Sequence, residues 1–283
     1  MTNNINWAAD YVLTLSEDDA HGDLSGWVTL DNRSGANYRN AQLKLVAGGV
    51  QRVKEQAKPE LYAARAMKME AAPALEDKPF FEYHVYDLKH KTTITDKQTK
   101  QVRLLQTVRV RAQRRLLVRS QRHYLTRAFQ GQDPRLPVGV YVTLKNTPTD
   151  NLDIPLPAGV VRVYQHDESG SPQFVGEDRI DHTPKEKEIT LKVGEAFDVV
   201  AERRQTDYKK ISTRLHESEW EIRLRNHKEE DINVGVLEPL TGNWKVVANT
   251  HRFTKADAFS IRFDVEVPGD GEAKIVYRVR VGL

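Results

Sequence analysis

The chain has 283 residues, 39% of them hydrophobic and 29% charged, which is enough apolar material for packed cores and argues against wholesale disorder. Its formal net charge of +3 is too small to imply a nucleic-acid partner, and no run approaches the roughly 18 consecutive apolar residues of a membrane span. With no cysteine, disulfides, thiolate metal sites and cysteine nucleophiles are excluded.

Along the chain the dominant signal is an apolar/polar alternation of period two in short segments. Residues 1–10 carry no basic stretch followed by an apolar one, so no secretion signal is visible there. Residues 11–15 and 27–31 are the first strand candidates, followed by the turn sequence NRSG at 32–35. Residues 41–46 (AQLKLV) place Ala41, Leu43 and Leu45 on one face. Residues 54–78 break the pattern: they are rich in Ala, Lys and Glu, carry Met67 and Met69, and are accompanied by Pro59, Pro73 and Pro79. A helix over 60–70 would have a thin apolar stripe and be marginal alone, so the segment reads as a mobile insertion between strands. Further strands are expected at 80–86, 102–111, 138–144, 160–164, 189–193, 197–202 and 234–237. In 220–225 (WEIRLR), Trp220, Ile222 and Leu224 share a face, and 261–267 (IRFDVEV) and 273–281 (AKIVYRVRV) flank the turn PGDG at 268–271. One apolar and one charged face per segment is what a half-buried antiparallel strand needs.

The expected fold is therefore all-β, built from antiparallel β-sandwich domains. Residues 1–193 would form the N-terminal one. Residues 194–283 would form a C-terminal unit whose size suits an immunoglobulin-like sandwich. The boundary stays open, because 189–202 could pass continuously between the two.

Chemistry-bearing residues are sparse. The nine histidines are scattered and none forms a tight ligand spacing. The best acidic constellation is Glu177, Asp178, Asp181 and His182, which could hold a metal or act as acid and base, or could simply bond local backbone in a turn. No nucleophile elbow or phosphate loop is present. The strongest anomaly is charge: residues 89–127 hold twelve Lys or Arg and one acid, Asp96, a local net of +11 that leaves −8 for the rest. Alternation predicts Arg109 and Arg111 on one strand face, with Arg114, Arg115 and Arg119 continuing the run. The run is either an anion-binding surface or a solvated face whose arginines pair with acids such as Glu217, Glu219 and Glu221. Trp27 and Trp220 read as core anchors, whereas Trp244, after a turn, is expected to be partly exposed.

Several stretches resemble a bacterial family of unknown function, often described as mucoidy inhibitor-like: WVTLDNRSGANYRNAQLKLVAGGV at 27–50, FEYHVYDL at 81–88, LPAGVVRVY at 156–164, FVGEDRIDHTPKEKEITLKVGEAFDVVAERRQTD at 174–207 and EIRLRNHKEEDINVGVLEPL at 221–240. The resemblance spans nearly the whole chain. It implies a β-rich fold and a periplasmic or extracellular location, and since full-length members carry further regions ahead of this part, it implies that the chain is a fragment. The absence of cysteine leans the same way. It supplies no catalytic residue. The expectation is a non-enzymatic cell-envelope interaction or scaffold module with no cofactor, whose partner is an envelope protein or an anionic glycan. The alternative is a metal-dependent binding protein or hydrolase built on Asp178, Asp181 and His182.

Overall fold

The computed structural model describes residues 4–47, 84–120, 125–129, 135–167 and 169–282. The insertion expected at 54–78, with its helix at 60–70, lies outside the described residues. The chain is all-β: strands account for 70% of the described residues and helix for 1%. The strands are β1 (Ile5–Leu15), β2 (His21–Asn32), β3 (Tyr38–Ala47), β4 (His84–Ile94), β5 (Gln98–Arg119), β6 (Val138–Lys145), β7 (Gly159–His166), β8 (Pro172–Ile180) and β9 (Glu188–Glu195). They continue as β10 (Val199–Lys210), β11 (Leu215–Asn226), β12 (Ile232–Pro239), β13 (Asn243–Asn249), β14 (Phe253–Asp257), β15 (Ser260–Val267) and β16 (Glu272–Gly282).

Ten of them form one sheet in the order β14-β15-β12-β5-β2-β1-β7-β8, with β6 hydrogen-bonded to β5 and β9. Most ladders are antiparallel, as the alternation requires, and two are parallel: β1 with β7 and β12 with β5. The sheet folds over itself in the N-terminal half. Tyr11, Leu13, Leu24, Val161 and Val163 on one layer meet Ala112, Val142, Leu144, Ile189 and Leu191 on the other. Each Leu, Ile or Val among them stabilises the fold by about 1.5–3 kcal/mol when fully buried. One edge of this sandwich is continuous through the β2–β5 ladder. The opposite edge is a seam in which β8 lies beside β9 without a ladder. There Gly176 approaches Val193 so closely that an added Cβ would sit 2.0 Å from its carbonyl oxygen, and the Asp178 carboxylate accepts the Lys192 N–H at 2.7 Å.

A small sheet of β3 and β4 covers the far end, packing Leu45, Tyr86, Leu88 and Ile94 on Val28 and Leu30. The second sandwich sets β10-β11-β16-β13 against β12, β15 and the end of β5. Its core holds Trp220, Ile222, Ile275, Tyr277 and Val279 opposite Val118, Val236, Ile261, Phe263 and Val265.

β5, which lies within the expected domain of residues 1–193, belongs to both sandwiches. Residues 98–111 of this 22-residue strand pair with β2, while Leu116–Arg119 pair with β12. Val118, Leu136 and Val138 belong to the core shared with the C-terminal strands. Residues 189–202 do not run through as one strand: β9 pairs with β6, β10 pairs with β11, and Phe197 in the turn between them is 95% exposed. Trp27 is not a core anchor. Val28 and Leu30 take the inward positions of β2, which leaves Trp27 half-buried on the other face.

Candidate functional site

The five arginines singled out in β5 do not share a face. A bulge between Thr107 and Val110 interrupts the β2 ladder, and Arg109 in it adopts the left-handed conformation at φ 55. Its N–H donates to Asp23 at 2.9 Å and its carbonyl accepts the Asn151 amide at 3.1 Å, which fixes the strained residue in place. Beyond the bulge the alternation resumes. Val110 and Ala112 point into the core while Arg111, Arg115 and Arg119 point outward. Arg114, with even parity, falls on the inward side at the junction of the two sandwiches and reaches Asp19 at 3.1 Å. Burial holds the Asp19 carboxyl above its ordinary pKa, with Arg114 opposing that shift.

The run is also less positive than its composition. Arg111 pairs with Asp150 at 3.3 Å and Arg115 with Glu188 at 3.5 Å. The acids thought available for it are committed elsewhere. On the outer face of the β10-β11-β16-β13 sheet, Glu217 meets Arg280 at 2.8 Å, Glu219 meets Arg278 at 3.0 Å, and Glu221 pairs with Arg204 at 2.8 Å and with Lys274. The hydrogen bond from Arg280 holds Glu217 below its ordinary pKa. Burial works against ionisation of Glu221, but Lys274 and Arg204 outweigh it and the net shift is also downward.

Both glutamates therefore have folded values below the unfolded one. Their stabilisation is present above the ordinary value of 4.5 and is lost as pH falls through the folded value. The urea midpoint should drop between about pH 5 and pH 3, and the Glu217→Gln/Glu221→Gln double variant should show a shallower drop. Equal slopes for the two proteins would contradict this.

The outward side chains of β5 and β6 line a groove of about 490 Å³ formed by His21, Arg111, Gln113, Arg115, Thr143 and Lys145 with Ala20 and Ala112. The sheet register builds it in rungs. His21 is opposite Arg111, Gln113 opposite Thr143 and Thr190 beyond it, and Arg115 opposite Tyr141 with Lys192 beyond. Arg111 is 70% exposed despite its bond to Asp150. Lys145 and Arg119 are exposed, and among the described residues neither has a carboxylate partner. The arrangement offers fixed N–H donors and positive charge to an anion.

The acidic constellation is arranged differently. Asp178 accepts the backbone N–H groups of Arg179 and Lys192. His182 Nδ1 accepts the Ala158 N–H at 3.1 Å, and the Asp181 carbonyl accepts the Thr183 hydroxyl at 2.8 Å. Glu177 lies 3.4 Å from Arg162. Among the described residues no group of three or more His, Asp or Glu side chains converges to hold a metal, so these residues serve the β8–β9 seam and the adjoining turn.

Sequence reasoning passed over a buried ionic network in the second sandwich. Arg203 on β10 and Glu238 on β12, 1% and 0% exposed, pair at 3.1 Å across the two sheets. Tyr277 donates to Glu238 at 2.6 Å, Ser120 also donates to it, and the Arg203 guanidinium lies 3.5 Å over the Trp220 ring. Burial, reinforced by Glu238, pushes the Tyr277 hydroxyl far above its ordinary pKa, so it remains a donor. Among the described residues no helix is long and apolar enough to cross a membrane. No protein-family model matches the chain, and no curated protein matches it.

Proposed function

We propose that the chain is a non-enzymatic interaction module of the bacterial cell envelope, periplasmic or extracellular like the mucoidy inhibitor-like proteins it resembles, and that it holds an anionic partner on the outer face of β5 and β6. The observation that carries this is the groove itself, where exposed Arg111 and Lys145 project from laddered strands rather than from loops, with exposed Arg119 further along β5 outside the groove. A stiff sheet spares the cost of ordering a loop, so binding has only the side chains to immobilise. The C-terminal sandwich, immunoglobulin-like in this reading, acts as scaffold by fixing the end of β5.

Retention on immobilised heparin tests it. The wild type should bind at low salt and elute before about 0.5 M, where the Debye length is roughly 4 Å. The Arg115→Ser/Arg119→Ser/Lys145→Ser variant should lose retention with its thermal midpoint little changed, because exposed pairs contribute only about 0–1 kcal/mol. Arg111 is left intact because its partner Asp150 is buried. A wild type that passes through unretained at low salt would remove the anionic-partner reading.

A further inference from the structure

We infer that the ligand of this face is an acidic oligosaccharide, with Tyr141 as the platform for a sugar ring; the inference rests on the groove being an anion site. Three features of the face point beyond simple charge attraction. The first is the posture of Tyr141. A Cβ added at Gly139 would meet the Tyr141 ring at 2.6 Å, so the ring lies down over the bare Cα of Gly139 rather than standing off the sheet. A tyrosine laid on a sheet presents a broad π surface, whose negative face suits the weakly positive C–H bonds on the apolar side of a pyranose.

The second feature is what surrounds the ring. The Arg119 guanidinium stands over the ring, 5.9 Å from its centroid, while Lys192, next along the same rung, pairs with Glu195 at 3.0 Å. A carboxylate or sulfate carried by a sugar on this platform would thus meet the Arg119 guanidinium, whose planar fork is matched to a two-point contact.

The third is the repeat along the strand. Arg111 and Arg115 stand four residues apart on one face, about 13 Å at the usual rise of ~3.3 Å per residue. Between them lies the neutral rung of Gln113, Thr143 and Thr190. Exposed Gln113 and Thr190 supply amide and hydroxyl groups where an uncharged stretch of ligand would lie. Cations at both ends of a neutral hydrogen-bonding rung, with an aromatic beside the second of them, match a chain of hydroxylated rings bearing spaced acids. A polyphosphate or an anionic lipid surface would use the cations and leave Tyr141 idle.

Titration calorimetry with a galacturonic acid hexamer, its methyl ester and inorganic polyphosphate of similar length discriminates these. The hexamer should bind the wild type, and its methyl ester should bind at least about tenfold more weakly. Tyr141→Leu should weaken the hexamer by about tenfold while leaving polyphosphate binding unchanged, and Tyr141→Phe, which keeps the ring, should retain the hexamer. Gly139→Ala, which lifts the ring from the sheet, should reproduce the loss. If hexamer and polyphosphate bind alike and Tyr141→Leu affects neither, the saccharide assignment is overturned while the anion groove stands. If neither probe binds, both fall.

Discussion

Replacing Glu238 with Ala should destabilise the protein by about 3–5 kcal/mol, the usual result of breaking a buried ion pair from one side. The carboxylate accepts from Arg203, Tyr277 and Ser120 at once. Its removal takes the charge partner from a buried guanidinium and the acceptor from a buried phenol hydroxyl. The pair itself is not worth that amount, because desolvating both charges offsets most of their attraction. The Arg203→Met/Glu238→Leu double variant should therefore recover most of the loss. By contrast, Arg280→Ala on the outer face of the same sandwich removes a half-exposed pair and should cost about 1 kcal/mol or less. Urea midpoints of the three variants test this. A loss below about 1 kcal/mol for Glu238→Ala, or a double variant no better than the single one, would show that the network is not held as described.

That network was written in the sequence in a form alternation does not flag. On β12 the inward positions are Val234, Val236 and Glu238, with Leu240 just past its end, and on β10 they are Val199, Ala201 and Arg203. In both strands a charge continues an apolar row, and the two charges are opposite. A lone inward charge looks like the end of a strand, and only the pairing across the two sheets gives it a partner. The same logic explains why β10 extends to Lys210 through a stretch of mostly charged and polar residues, where the sequence suggested an end at Glu202. It also explains why β8, β13 and β14, with few inward apolar residues, went unseen.

Strong alternation read correctly. Trp220, Ile222 and Leu224, and Ile275, Tyr277, Val279 and Val281, are all fully buried. The basic run was legible as composition but not as geometry. One bulge residue, Arg109, shifts the register, parity turns Arg114 to the other face, and the neutralising acids Asp19, Asp150 and Glu188 come from three separate parts of the chain. Nothing local announces such long-range partners.

Gly176→Ala should open the seam of the N-terminal sandwich. The new Cβ would fall 2.0 Å from the Val193 carbonyl oxygen and 2.8 Å from its carbon, both backbone atoms that no rotamer change can move aside. The strands must separate, at a cost of about 1–3 kcal/mol or more by analogy with overpacked cores. Separation also breaks the bond from the Lys192 N–H to Asp178, the link that locks β9 to β8 where no ladder exists. Lys192 belongs to the same rung as Tyr141 and Arg115, so the outer face should loosen with the seam. Gly194→Ala is the matched control: an added Cβ there meets nothing within 4 Å, and the smaller unfolded-state entropy should leave stability unchanged or raised by up to about 1 kcal/mol. Hydrogen exchange gives the local readout, with the Lys192 amide losing protection in Gly176→Ala and keeping it in Gly194→Ala. If Gly176→Ala melts with the wild type and the Lys192 amide stays protected, the close approach of β8 and β9 is not what closes this sandwich.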